Sequence, residues 1–308
     1  MLAESVDRNR ADALLLSGGL DSSILASILR PQCYVTAAFG EDAPDLAFAR
    51  QVARKYGGRN AEVVFSHERM LELVQQIVQI FKTFDPIEIR NSSVALAGIL
   101  QAKEDGYASI MTGDGADELF AGYNYLARYY SDLEKLDSEL QRLWQVMHFS
   151  SEKLGEHAGI AVKAPFLDDQ FMSYAKSLRT DVKVGEHAGL KWGKFILRRC
   201  YESQVGAAIA WRPKLAQEQG AATDKFQNYI EQTIDDPTFA NKSRAAKEEG
   251  VTLRNKEHLH YYAIFRSYFA PPKEERGELR CPQCGARFIQ LGRFCRTCGA
   301  FPVTPVRS

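Results

Sequence analysis

The sequence predicts an α/β protein: a doubly wound parallel sheet, followed by a helical region and a small zinc ribbon. Three observations carry this expectation. Short apolar runs alternate with segments of helical period in the N-terminal part, the pattern of strand–helix–strand units. A Gly-rich turn, Leu14-Leu15-Leu16-Ser17-Gly18-Gly19-Leu20-Asp21-Ser22-Ser23, follows the first of those runs, and sheets of this class bind ligands at the carboxyl ends of strands. Four of the six cysteines fall within residues 281–308, and such clustering points to metal before disulfide.

Taken in order, residues 1–10 are polar and read as a short lead-in helix or a frayed end. Residues 13–16 read as a buried strand and 22–29 as the first amphipathic helix. The β-formers of 33–39 give a second strand. Apolar residues Leu46, Phe48, Ala49, Val52 and Ala53 give a helix over 45–56, ended by Gly57-Gly58. A third strand is expected at 61–65, a helix at 70–81, a small-residue helix at 93–103 and a further strand at 109–111. Beyond Tyr123 the pattern turns helical, with one or two long helices over 125–149 and helices joined by polar turns through most of 165–270. The expected organisation is an α/β core that carries the Gly-rich turn (1–130), a helical part (131–270), a Pro-rich charged linker (271–280) and the ribbon (281–308).

Composition bounds the partners. The chain has 308 residues, 45% hydrophobic and 25% charged, which are the proportions of a soluble globular protein. No apolar stretch approaches the ~20 residues a membrane helix needs, and Met-Leu-Ala-Glu-Ser is no signal peptide. A cytoplasmic enzyme without a membrane partner is expected. Thirty-nine basic residues balance 39 acidic ones, so bulk charge selects no partner. The tail differs, since Arg287, Arg293, Arg296 and Arg307 stand in 281–308 without an acidic residue.

The first Gly-rich turn is an anion site by construction. Glycine lets backbone amides approach a ligand, and the following helix dipole favours negative charge. It lacks the Gly-Lys-Ser/Thr ending of a Walker A loop. Its serines can bond phosphate and Asp21 can hold magnesium. A second Gly-rich turn, Thr112-Gly113-Asp114-Gly115-Ala116-Asp117-Glu118, again follows a strand. Its three carboxylates repel one another, and a nearby cation is the natural relief. Cys281, Cys284, Cys295 and Cys298 form C-x2-C-x10-C-x2-C, each pair followed by glycine, a tetrahedral zinc pattern whose metal would supply the folding energy. His258 and His260 show no ligand spacing and read as ordinary surface or core residues. Tyr261, Tyr262, Phe265, Tyr268 and Phe269 read as core, and Cys33 and Cys200 as buried thiols.

Ser-Gly-Gly-Leu-Asp-Ser-Ser resembles the PP-loop of ATP pyrophosphatases, which split ATP to AMP and pyrophosphate while adenylating a substrate. With Gly-Asp-Gly-Ala-Asp-Glu-Leu-Phe-Ala-Gly-Tyr over 113–123, the chain resembles the synthetase domain of the glutamine-dependent asparagine synthetase family. Later segments agree in order: Asp85-Pro86-Ile87-Glu88-Ile89-Arg90-Asn91-Ser92-Ser93 is similar to its substrate-side loop, and Lys163-Ala164-Pro165-Phe166-Leu167-Asp168 to its Pro-Phe-Leu-Asp turn. Lys194-Phe195-Ile196-Leu197-Arg198 and Trp211-Arg212-Pro213-Lys214 resemble its two lysine motifs. The resemblance implies a PP-loop (adenine nucleotide alpha hydrolase-like) fold and ATP, Mg2+ and Zn2+ as cofactors. Ser17, Gly18, Gly19, Asp21, Ser22 and Ser23 would cradle pyrophosphate, with Gly113 beside the nucleotide and Leu15 and Phe39 by the adenosine. Asp21 and Asp117 would hold magnesium. Lys194 and Lys214 would neutralise charge at the α-phosphate and pyrophosphate. Asp114 takes the place of a carboxylate that accepts a proton from the attacking amine, supported by Glu118 and Asp168, while Arg90 would face the substrate.

Two departures shape the functional expectation. The family carries an N-terminal glutaminase domain with a cysteine nucleophile, whereas residue 2 here is Leu2 and the first strand begins at Ala13. The expectation is therefore ATP-dependent activation of a carboxylate and amide formation, with ammonia or an amine from outside the chain or from a separate glutaminase subunit. Asp114 stands where several asparagine synthetases have Glu, and Lys163 replaces an arginine; both loosen the assignment of aspartate as substrate. The zinc ribbon is the other departure. It supports a second reading, a PP-loop tRNA-modifying enzyme that grips RNA through the basic ribbon, though a structural cap or a partner surface fits it equally. A homodimer stays open.

Overall fold

The computed structural model describes residues 1–272, 279–288 and 293–307, so residues 273–278 of the expected linker lie outside the described residues. No described helix is long and apolar enough to cross a membrane. The chain divides into two units, Met1–Val64 with Ala95–Ala221, and Phe65–Val94 with Ala222–Ser308.

The first unit is organised by the alternation of β1 (Ala13–Leu15) and its continuation. Leu14 and Leu16 join a buried cluster with Val6 of α1 (Leu2–Arg8) and Ile24 and Leu25 of α2 (Leu20–Leu29). Leu15 points to the other face, where the bare Cα of Gly98 admits it; a Cβ there would lie 2.4 Å from Leu15 Cδ2. Period-two alternation thus sets a helix against each face of the strand. The other strands of this five-stranded sheet are β2 (Cys33–Phe39), β3 (Arg59–Phe65), β4 (Ser109–Met111) and β5 (Ala161–Lys163), in sheet order β3-β2-β1-β4-β5. β1 runs parallel to β2 and β4, and β4 parallel to β5, with Ala13 opposite Cys33 and Ile110. The order reverses between β1 and β4, so the carboxyl ends of these two strands flank the crevice where such sheets take their ligands.

The sheet extends one strand beyond the expectation. β5 is three residues of edge strand with no fully buried position, too short and too polar to carry a period-two signal. The helices between strands are α3 (Pro44–Tyr56), α4 (His67–Phe81) and α5 (Pro86–Glu104). The last corrects the loop expected at 85–93. Asp85 accepts a hydrogen bond from the Ile87 N–H at 3.1 Å and Pro86 takes the first helical position, a start signal strong enough to draw the motif into the helix. Residues 125–149 form a 3-10 turn at Asn124–Tyr129 followed by α7 (Leu133–Val146), which comes after the short α6 (Ala116–Leu119). Beyond them lie α8 (Ser151–Ala158) and α9 (Asp169–Ser177). Cys33 is buried, but Cys200 sits on the exposed face of helix Phe195–Val205, contrary to the expectation of a buried thiol.

In the second unit α4 and helix Lys225–Thr233 both pack on helix Lys256–Tyr268. Tyr261, Tyr262 and Phe265 are buried there, whereas Tyr268 is exposed. The four-cysteine segment belongs to this same unit.

Candidate active site

The loop after β1 is held before it turns. The Leu16 N–H donates to Val35 O at 2.8 Å, and Thr36 Oγ1 donates to Leu16 O at 2.8 Å. Gly18 then takes φ 67°, and a Cβ on it would lie 2.5 Å from the Phe48 and Ala49 backbone, so only glycine fits. The hydroxyls of Ser17 and Ser22 lie 3.2 Å apart, and the Gly19 N–H donates to Ser17 Oγ at 3.2 Å. The N-terminus of α2 opens directly from this turn, as an anion site requires. Ser23 Oγ is buried there without a hydrogen-bond partner.

The loop after β4 meets it at the switch point. A Cβ on Gly113 would lie 3.3 Å from Asp21 Cβ, which puts the two Gly-rich turns in contact. Gly115, at φ 97°, abuts Leu167 and starts α6, which carries Asp117 and Glu118. The Asp114 carboxylate accepts a short hydrogen bond from Ser151 at the start of α8, and burial pushes its carboxyl above the usual carboxylate range. Burial also raises Glu118, which accepts from the Tyr123 hydroxyl at 2.5 Å.

Two lysines close the site. Lys194 Nζ lies 2.6 Å from Asp21 Oδ2 and 2.6 Å from Asp117 Oδ1, while Lys214 Nζ lies 2.8 Å from Asp117 Oδ2. The Lys194 side chain is only 3% exposed, so its ammonium depends on these carboxylates for its charge to be tolerated. Burial pushes the Asp117 carboxyl up, but the two ammonium groups outweigh it and hold the carboxyl well below the usual range. Burial likewise lowers Lys214, and Asp117 and Asp21 more than compensate. Backbone geometry makes room for this: a Cβ on Gly122 would strike Lys194 Cε at 2.1 Å, and one on Gly193 would strike Ala121 O at 2.0 Å. Lys194 itself sits at φ 54°, a left-handed backbone held by its N–H donating to Phe120 O at 2.7 Å.

Two arginines without an assigned role in the sequence fix these lysines. Arg198 Nε donates to Gly193 O at 2.9 Å, and its Nη1 donates to Ala210 O at 2.5 Å and Arg212 O at 3.3 Å. One guanidinium therefore ties the residue before Lys194 to the segment leading into Lys214. Arg212 stacks over Phe48 at 3.8 Å, pairs with Asp45 at 2.9 Å and reaches Gly18 O at 3.4 Å. Both arginines stand in the lysine motifs, which was their available signal; Asp45 had none.

The asparagine synthase family model matches residues 1–145 and 134–270. The chain belongs to the asparagine synthase family. It is 32% identical over 283 residues to the glutamine-hydrolysing asparagine synthetase of Bos taurus, and 31% identical over 283 residues to that of Homo sapiens, the matches covering 85% of this chain. They cover 49% of those proteins, so the chain spans about half the length of the curated relatives it matches. A solved structure titled "predicted subunit of tRNA methyltransferase", from Methanocaldococcus jannaschii, overlays 66% of this chain and 92% of that one at 16% identity. Its TM-score is 0.29, too low to bear on function.

The other residues named from the asparagine synthase resemblance are placed as follows. Leu15 ends β1 facing Gly98, and the Phe39 N–H donates to Ala221 O at 2.8 Å. Asp168 caps α9 and accepts from Arg8 and Asn9; chiefly the Arg8 hydrogen bond brings its carboxyl down to about 2. It anchors α1 rather than contacting Asp114 or Lys194 through any bond seen here. Arg90 lies in the second unit, where its Nη1 donates to both Glu257 oxygens at 2.8 and 2.7 Å.

Cys281, Cys284, Cys295 and Cys298 converge, all four Sγ atoms lying within 4.8 Å of one another. The pairs Cys281–Cys298 and Cys284–Cys295 are 3.7 Å apart. Thiolates bound to one tetrahedral zinc at ~2.3 Å would stand about 3.8 Å apart, so the donor set fits that ion. Gly285 and Gly299 turn back at φ 73° and 72°, each donating its N–H to the first cysteine of its pair.

Proposed function

We propose that this chain activates a small-molecule carboxylate with ATP, releasing pyrophosphate, and passes the acyl group to ammonia or an amine to form an amide and AMP. The observation that carries this reading is the convergence of Asp21, Asp117, Lys194 and Lys214 between the two Gly-rich turns at the switch point of the sheet. Asp21 Oδ1 is buried there without a hydrogen-bond partner, and both carboxylates already converge on one cation. They would hold magnesium, which supplies charge neutralisation on the phosphates.

In the first step a carboxylate oxygen bonds the α-phosphorus and the bond to the bridging oxygen breaks. Pyrophosphate leaves into the 17–23 turn, whose amides and serines accept its charge. Lys194 and Lys214 follow that charge from Asp21 and Asp117 to the phosphates, positioned in advance by Arg198. In the second step nitrogen attacks the acyl carbon, AMP departs, and Asp114 takes the proton from the nitrogen. A free ammonia supply, an amine substrate or a separate glutaminase subunit each provides that nitrogen. We read the four cysteines as a zinc site.

The test is pyrophosphate and AMP release with Mg-ATP across a panel of carboxylic acids with ammonia and simple amines. Release that depends on one acid supports the reading; formation of ADP and phosphate, or no release with any acid, overturns it. The second reading, adenylation of a tRNA base, is favoured by the basic ribbon. A low-salt shift assay with tRNA decides it, because phosphate contacts are strongest there.

A further inference from the structure

Residues 83–85 join α4 to α5 without regular structure of their own, yet Thr83, Phe84 and Asp85 are all 1% exposed or less. Buried backbone groups must be paired, and here the partners come from the second cysteine knuckle. The Phe84 N–H donates to Thr297 O at 2.8 Å, and Thr83 Oγ1 donates to Arg296 O at 2.8 Å and Thr297 O at 3.1 Å. A Cβ on Gly299 would lie 2.1 Å from Asp85 Oδ1, so the knuckle seats directly on the residue that caps α5. Arg254 Nη2 donates to Cys298 O of the same knuckle at 2.7 Å, and the Thr252 N–H donates to Gln283 O of the first knuckle at 2.8 Å.

Both contacted segments lead to one ion pair. Arg90 lies on the first turns of α5, just beyond Asp85, and Glu257 lies just beyond Arg254. Tyr261 donates to the same Glu257 carboxylate at 2.9 Å. The ribbon has little apolar substance of its own. Apart from cysteine, its buried described residues are Ala286, Phe288, Ala300 and Val303, far too few to fold it without metal.

We infer that the four-cysteine centre is an internal clamp: metal binding orders the 295–299 knuckle, whose carbonyls hold Thr83–Asp85 and Arg254 and thereby set the Arg90–Glu257 pair. These knuckle carbonyls are spent inside the unit. The clamp stands on these hydrogen bonds whether or not the chain makes amides. Only its bearing on substrate binding, through Arg90, rests on the function proposed above.

Hydrogen exchange of the full-length protein tests it without nucleotide. Zinc content is measured first, and the metal is then removed with a chelator and restored with Zn(II) alone. Expected is one zinc per chain, and at least about tenfold faster exchange in peptides covering 83–90 and 252–258 after removal, with β1 and β2 unchanged and protection regained on restoration. Thr83→Val keeps the cysteines and should give faster exchange over 83–90 at full zinc content. Loss confined to 279–307, or normal protection over 83–90 in Thr83→Val, overturns the clamp. Absence of pyrophosphate release with unchanged exchange results would instead count against the proposed reaction alone.

Discussion

Lys194 and Lys214 touch the same carboxylate, but they are not equivalent. Lys214→Met leaves Asp117 paired with Lys194, so the fold should survive while pyrophosphate release falls by about 10²-fold, the usual loss for one preorganised charge. Lys194→Met strands Asp21, whose ion pair it removes, and leaves Asp117 with Lys214; about 3 kcal/mol or more of stability should go with it. Thermal midpoints of the two variants, set beside their release rates, separate the roles. Asp114 offers a pH test. Burial raises its carboxyl, so the basic form is lost as pH falls through a value above the ordinary range. Amide formation should therefore decline on the acid side earlier than ATP–pyrophosphate exchange does, and Asp114→Asn should abolish the first while sparing the second. Exchange and amide yield that fall together would refute this assignment. At this scale the sequence was most legible: the two turns, both lysines and the four cysteines all appear as short contiguous motifs. Asp45 and Ser151 do not, because their partners Arg212 and Asp114 are distant in sequence.

At the scale of elements, helix Phe195–Val205 earns its position through Arg198. A lysine there cannot serve Gly193, Ala210 and Arg212 carbonyls together, lacking the planar fork. Arg198→Lys should raise KM for ATP and cost about 2 kcal/mol of stability, as buried acceptors lose their donors. An unchanged KM would show that the two lysine segments hold themselves. Strands β2 and β4 could be read residue for residue, since each is a buried run bounded by turn signals. β5 could not, since its pairing with β4 rather than its own pattern makes it a strand. The segment 85–93 misled for the opposite reason: family likeness suggested a loop, while Asp85-Pro86 is a plain helix start.

Across the whole molecule, stability is not tuned to its maximum near the site. Lys183 is fully buried over the Trp144 ring at 4.7 Å, its ammonium without a hydrogen-bond partner, and Trp144 in turn donates to Glu118 O at 2.9 Å. Burial lowers Lys183 from 10.5 to about 8. Below that pH both the folded and unfolded chains hold the proton and the penalty is complete. Between there and 10.5 the folded chain releases it first, so stability rises with pH. Lys183→Met should thus gain on the order of 2 kcal/mol at neutral pH, a gain that shrinks in alkali. Thermal midpoints at both pH values check the sign.

The pairing of two lysines with two aspartates has one further consequence. The four groups sum to zero charge, so among themselves they leave no net field to draw in a single ion. A lone dication would have to evict ammonium groups already seated, and a lone triphosphate would strip the aspartates of their counter-charges. Arriving together, each supplies what the other removes, and the lysines simply change anions. On the proposed function, the site would work as an ion exchanger with a coincidence requirement. Calorimetric titration with magnesium alone should show no tight binding, and tight binding should appear only when a non-hydrolysable ATP analogue is present as well.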